Sequence, residues 1–391
     1  MMDYAERLHF VAGEVDKAGL AALIVFAWGA AHGQTTLSHG HMRYLTGWDS
    51  QRFCSLLVLV PGRRPIMLVP NIGAFVTARE QLDFCEVRFC ASNSLGMAAA
   101  ACLAEHGIDA EAGLAMLGRD EMPVPVWEQL GRNAAQVTDF AGLINSRRAV
   151  KDDAAIARHR RAAAACDAVF AHLPEQLHSG RNLFSIRARL QAVAADHGAE
   201  YCDLWLTAAP DAQREYMFKV DMQRIPQRGD QILCGVSLTI DGHWGHGVRA
   251  GHMGRPEARH RFYYDVVREI YDTALSQLRP GVDLAAVGEA MDRILAKRIP
   301  QHADAQQFSR FRYAHGLGLS YEDPIVTDSF PQPYFAGQRA QSCIAEPGML
   351  LEIHPNIFHA SDGGCALGNM IVMTEGGFEE LTRYDLALAS Y

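Results

Sequence analysis

QILCGVSLTIDGHWGHGVRAGHMG, residues 231–254, is the stretch on which the fold turns. Apolar residues dominate its first ten positions, and the whole reads as strands folded into a hairpin. Three histidines, His243, His246 and His252, fall in that hairpin. Two more follow downstream. His315 opens a Gly-rich strand end in FRYAHGLGLS (311–320), and His354 sits mid-strand in the apolar run MLLEIHPNIF (349–358). A lone histidine on an apolar strand is ordinarily a core residue with a satisfied ring nitrogen. Several on successive strands of one domain weaken that reading. Imidazole is the commonest metal ligand and the commonest acid–base group near neutral pH, and spacing alone does not choose between those roles.

Outward from the hairpin, helices are expected over 182–197, 256–278 and 283–298, and the last 80 residues read as short strands bounded by Gly, Pro or Asp. Upstream, SRRAVKDDAAIARHRRAAAACDAVFAHL (146–173) is charged and then Ala-rich and helical, which puts a domain boundary near Arg148. Its Arg158, His159, Arg160 and Arg161 read as a solvated helix face, because acidic residues flank them. The first 147 residues alternate helix and strand. A helix over 3–19 leads to a buried strand, LAALIVF (20–26), then a loop from 28 to 41 and a turn or short helix at 42–48. A hairpin over 53–71 turns at Pro61-Gly62-Arg63-Arg64, and helix, strand, helix, strand follow. No Gly-x-Gly-x-x-Gly follows the first strand, so no nucleotide cofactor is expected. Arg52 stands just before an apolar strand; a surface arginine is the simpler reading, and a fork gripping a substrate carboxylate is the functional one.

Composition narrows the class. Hydrophobic residues are 49% and charged residues 21% of 391, which is globular rather than disordered. A net charge of -9 argues against a nucleic-acid partner. No apolar run reaches the roughly 18 residues of a membrane span. Nine cysteines without a CxxC pair read as reduced thiols of a cytoplasmic protein.

At this point the chain resembles the creatinase, methionine aminopeptidase and Xaa-Pro peptidase superfamily. The likeness rests on RAVK (148–151), RGDQILCGVSLTIDGHWGHGVRAG (228–251), LRPGVDLAAV (278–287), HGLGLSYEDP (315–324), EPGMLLEIHPNIF (346–358) and GNMIVMTEGGFEELT (368–382), in the family's order. It implies an α+β chain: a carboxy-terminal pita-bread catalytic domain (148–391) and a smaller amino-terminal creatinase-type α/β domain (1–147). It also implies a homodimer in which the small domain of one subunit caps the partner's cleft.

The family's metallopeptidases hold two metals with two Asp, one His and two Glu. Here the two Asp positions fall on Gly235 and His246, the His is kept as His315, and the Glu positions fall on His354 and Gly368. That pattern leaves open one divalent transition metal on His246, His315 and His354, a metal-free acid–base site on the same histidines, or a non-catalytic binding protein. Creatinase's catalytic histidine and glutamate align with REYMFK (214–219), which has no His, and with Val248. Glu322 or His243 is the expected proton carrier, and Arg249 and Arg52 the substrate-binding cations. Glu352 is read as pointing away on the opposite face of its strand and is left out. The resemblance implies a creatinase-like hydrolase cleaving a C–N bond in a small polar molecule with a carboxylate. The alternatives are a lyase on a small zwitterion, since the shortened 315–324 segment is similar to that of dimethylsulfoniopropionate lyases, and an Xaa-Pro-type metallopeptidase.

Overall fold

The computed structural model describes residues 4–212, 222–327 and 342–391. The chain divides into two compact units, Met1–Arg148 and Ala149–Tyr391. In the first, helices α1 (Tyr4–Lys17), α2 (Ser38–Thr46), α3 (Ile72–Gln81), α4 (Leu95–Glu105), α5 (Val124–Leu130) and α6 (Ala141–Ala149) accompany a six-stranded sheet. Its strands are β1 (Ala22–Trp28), β2 (Cys54–Leu59), β3 (Ile66–Val69), β4 (Glu86–Phe89), β5 (Leu114–Leu117) and β6 (Val137–Asp139), in the order β4-β3-β2-β1-β5-β6. β1 pairs antiparallel with β2 and parallel with β5, the mixed sheet that the alternating pattern predicts.

The expected loop at 28–41 is more ordered than its Gly- and His-rich sequence suggests. Ala30–Thr35 is a 3-10 helix and α2 already begins at Ser38. The cap of α2 comes from far along the chain: the Glu121 carboxylate accepts hydrogen bonds from the Leu37 and Ser38 amides at 2.5 and 3.1 Å. A carboxylate at a helix start satisfies orphan amides and suits the dipole, and no local pattern reveals one that is 83 residues away.

The second unit repeats one plan twice. Helices α7 (Asp153–Leu177) and α8 (Leu183–Asp196) precede β7 (Tyr201–Ala209), β8 (Gln231–Ile240) and β9 (His243–His252); then α9 (Ala258–Gln277) and α10 (Leu284–Arg298) precede the remaining strands. These are β10 (Phe308–Ser309), β11 (Ala314–Leu317), β12 (Tyr321–Ile325), β13 (Leu350–Ile353), β14 (Asn356–His359), β15 (Gly363–Ala366), β16 (Asn369–Thr374), β17 (Gly377–Glu380) and β18 (Ala389–Ser390). They form the sheets β18-β9-β8-β7, β12-β11-β13-β16-β17 and β10-β14-β15. Two helices followed by antiparallel strands, twice over, is the pita-bread arrangement. An antiparallel bridge between Val248 and Gly368 joins the first two sheets.

Two sequence expectations fail for local reasons. MLLEIHPNIF is not one strand, because Pro355 cannot donate to a ladder; β13 and β14 belong to different sheets and His354 stands at the break. His159 is not on a solvated face. Arg160 and Arg161 do reach out to Glu379 and Asp241, but His159 is fully buried, its Nδ1 2.9 Å from the Trp244 carbonyl.

Candidate active site

Three backbone facts gather the site. His315 on β11 lies directly across from Glu352 on β13. Glu352 and His354 are two residues apart, so strand alternation turns both to one face. The break at Pro355 is held by the His354 amide donating to the Tyr313 carbonyl at 2.7 Å and by Asn356 Nδ2 donating to the His354 carbonyl at 2.9 Å. His246 comes from β9 on the neighbouring sheet, where it faces Ser237 across the hairpin.

His246, His315 and His354 therefore converge, with ring centroids 5.1–6.4 Å apart. The residue at their centre is Glu352, which the sequence reading sets aside. That reading puts residues i and i+2 on opposite faces, whereas the pleat puts them on the same one. Glu352 Oε2 is 2.9 Å from His246 Nε2, 3.5 Å from His315 Nε2 and 3.9 Å from His354 Nε2. Its carboxylate is wholly buried. The sequence reading also misses Tyr321. Its ring lies 4.8 Å from His315, and its hydroxyl is 3.0 Å from Ser237 Oγ, itself 3.5 Å from His246 Nδ1. The aromatic next to Glu322 carries no signal beyond its place in HGLGLSYEDP.

The charges sort themselves. Burial alone would raise the Glu352 pKa, but His246 and His354, with the ring nitrogens of His246 and His315 against its oxygen, hold it well below the usual carboxylate range. Burial works against the charged form of His246 too, yet the adjacent carboxylate raises its pKa. Burial lowers His315 and pushes His354 down to about 3, Glu352 only partly offsetting it. Glu352 is therefore held as a carboxylate and His315 and His354 favour the neutral ring, while His246 is the one of the three whose charged form is favoured.

A single cation suits these donors. Nδ1 of His246 faces the Val236 carbonyl at 2.7 Å and accepts from the Gly247 amide at 2.9 Å, Nδ1 of His315 faces the Gly316 carbonyl at 2.8 Å, and Nε2 of both rings turns inward toward Glu352. Glu352 Oε1 and His354 Nε2 are buried without a hydrogen bond. Ligand atoms of His246, His315 and Glu352 lie within 4.8 Å of one another, the one such group among the described residues. Two cations do not fit. A Cβ at Gly235 would meet Trp205 Cε3 at 2.9 Å, and one at Gly368 would meet the His354 Cβ at 2.5 Å. The space for further carboxylates is filled by an indole and by His354 itself.

The other expected residues lie elsewhere. His243 and Arg249 are each three positions from His246, an odd step that turns them to the opposite face of β9. His243 packs edge-on against His159 at 5.0 Å. Arg249 is no substrate-binding cation: it is buried, donates to the carbonyls of Val248, Gly368 and Tyr384 and to Asn369 Oδ1 at 2.6–2.9 Å, and lies 4.6 Å over Phe170. Glu322 pairs through its backbone with Gly316, and its side chain lies outside the described residues, as does REYMFK (214–219). Arg52 is exposed in the turn before β2, within the first unit.

Residues 157–375 match the model of metallopeptidase family M24. A Mycobacterium tuberculosis protein described as a probable dipeptidase PepE is 25% identical over 96% of this chain and 93% of its own length. Among solved structures, an Xaa-Pro dipeptidase from Bacillus anthracis superimposes with a TM-score of 0.78 at 18% identity over the whole of both chains. Dipeptidase PepE from Mycobacterium ulcerans gives 0.78 at 23% identity, covering 99% of this chain and 97% of its own. The fold is the pita-bread fold of those enzymes.

Proposed function

The chain belongs to metallopeptidase family M24, and on that premise we propose that it hydrolyses a C–N bond in a short peptide, using one divalent cation held by His246, His315 and Glu352. The carrying observation is the convergence of three imidazoles on a buried carboxylate whose Oε1 has no hydrogen bond, in a cleft with no room for a second carboxylate set. The preference for a non-peptide substrate gives way here to the Xaa-Pro-type alternative, because the relatives are described as dipeptidases. Neither composition nor the cleft residues favour the lyase or the binding protein over it.

A bound cation supplies charge that polarises a carbonyl and lowers the pKa of water. The chain's own groups do the rest. Val236 and Gly316 orient two rings with Nε2 toward Glu352, and Glu352 supplies the negative charge that three neutral imidazoles lack. His354, kept neutral, offers Nε2 as a fourth ligand or as a proton acceptor. A metal-free reading has one observation behind it: His246, raised by Glu352, packs beside His315 and His354, both lowered by burial, so the pKa values of the three rings are pushed apart as those of an acid and two bases need to be.

A panel of dipeptides, Xaa-Pro members included, assayed with Mn2+, Co2+ or Zn2+ and after chelation, separates the two. Turnover that tracks one metal equivalent and is lost in Glu352→Gln and His315→Ala supports the proposal. Full turnover in chelator gives the metal-free reading, and no turnover of any peptide in metal-loaded enzyme sinks both.

A further inference from the structure

A second pair of histidines lies at the far end of β9. His252 ends that strand and His260 sits in the first turn of α9, their ring centroids 5.2 Å apart. Each is 1% exposed, and both nitrogens of His252 and Nδ1 of His260 have no hydrogen-bond partner among the described residues, while His260 Nε2 has only Asp211. Asp211 Oδ1 stands 3.5 Å from His260 Nε2. A buried polar atom left unpaired forfeits its hydration without return, so this many in one place call for a partner.

We infer that His252 and His260 form a second cation site, suited to a borderline ion such as Zn2+ and separate from the catalytic cluster. Asp211 completes it only on leaving Arg259, since the three ligand atoms do not all lie within 4.8 Å of one another as they stand. An ion about 2.0–2.1 Å from one nitrogen of each ring, with tetrahedral angles, sets ring centroids about 5 Å apart, which is the spacing found. Two imidazoles and a carboxylate are a borderline donor set and favour Zn2+ over Mg2+ or Ca2+. His252 is six residues along β9 from His246, about 20 Å, so no ion serves both clusters.

The surroundings are built for a fixed pair of rings. Gln231, opposite His252 on β8, is spent on Gly364: its Nε2 donates to the Gly364 carbonyl and its Oε1 accepts from the Gly364 amide. Gly363, at φ +83°, leaves room that a Cβ would close, 2.6 Å from Gln231 Oε1 and 3.4 Å from the His260 ring. Asp211 is 2.5 Å from Arg259 Nη1, so the ion draws it from that arginine toward the rings. The site is structural. It ties the end of β9 to the start of α9 beside β18, whose Ser390 pairs with His252.

The test uses full-length protein with the catalytic cluster silenced by His315→Ala and Glu352→Ala. Zn2+ equivalents are counted after dialysis, and Tm is read with and without Zn2+. Retention of one equivalent, with a Tm rise of several degrees, supports the site. Adding His260→Gln should abolish both, while the same change in otherwise unaltered protein should remove one of two equivalents and leave peptide turnover in place. A silenced protein that binds no Zn2+ and shows no Tm response overturns the inference without reference to any His260 variant. Undiminished binding in the His260→Gln protein overturns it equally.

Discussion

Lowering the pH from 7 to 5 should destabilise the metal-free protein through His354, by an amount that follows from its burial. The ring's ordinary pKa of 6.5 is pushed down to about 3 in the folded site, first by burial and then by the neighbouring His315 and His246, with Glu352 opposing. A depressed pKa means that the unfolded chain takes up the proton first. The stability is therefore present above pH 6.5 and is lost as pH falls toward 3. Between pH 7 and 5 the unfolded ring goes from mostly neutral to almost wholly charged while the folded ring stays neutral, a loss of about 2 kcal/mol. His315, also lowered, adds to the loss. His246, raised, has the opposite sign: its contribution is full below the unfolded pKa and fades as pH rises through the folded one. Comparing the protein with His354→Asn isolates one ring from the others. Urea unfolding in chelator at pH 7, 6 and 5 should show the variant losing about 2 kcal/mol less than the parent over that range. Parallel stability profiles would mean that His354 titrates as freely in the folded state as in the unfolded, and the buried, neutral ring would be wrong.

Three other substitutions probe the rest of the arrangement. Arg249→Met should cost roughly 3 kcal/mol or more in urea unfolding, since it strands several buried acceptors, and should leave KM for peptides unchanged; a raised KM at unaltered stability would return Arg249 to the substrate. Arg52→Ala should raise KM for a substrate with a free carboxylate about tenfold or more without moving Tm, if Arg52 grips that group; an unchanged KM removes it from the site. Gly235→Asp should fail to add a second metal equivalent and should destabilise the protein by about 1–3 kcal/mol, because the new Cβ runs into the Trp205 indole. Recovery of a second equivalent in that variant alone would show the indole to be no obstacle.

Much of the scaffold was legible because its signals are local. The β8–β9 hairpin is expected over 231–254, and the structure turns it at Asp241-Gly242 with both residues at positive φ. The α9 and α10 helices start and stop within two residues of their expected limits. What escaped was set by partners distant in sequence: Glu121 capping α2, and Trp205 covering Gly235 from the neighbouring strand. The histidine trio was legible through the resemblance. Its centre was lost to a parity error, since 352 and 354 share a face, and the same rule read correctly turns His243 and Arg249 away from His246.

That carboxylate changes the argument about what the site holds. Three imidazoles alone are neutral donors, and they give a dication no charge compensation in a buried cleft where desolvation is costly. With Glu352 among them the set carries one negative charge, and without metal that charge favours a proton on His246, whose pKa it raises. A cation entering the cluster therefore has to displace that proton, so its affinity should rise with pH until His246 is neutral in the metal-free state. The two-metal relatives described by the resemblance balance four positive charges with several carboxylates. Here one carboxylate balances either a proton or half a dication. The glycines at 235 and 368 leave nothing to neutralise a second ion, and Trp205 and His354 have taken its space. On the proposed reading, one charge and the contacts at Gly235 and Gly368 favour a single metal over two.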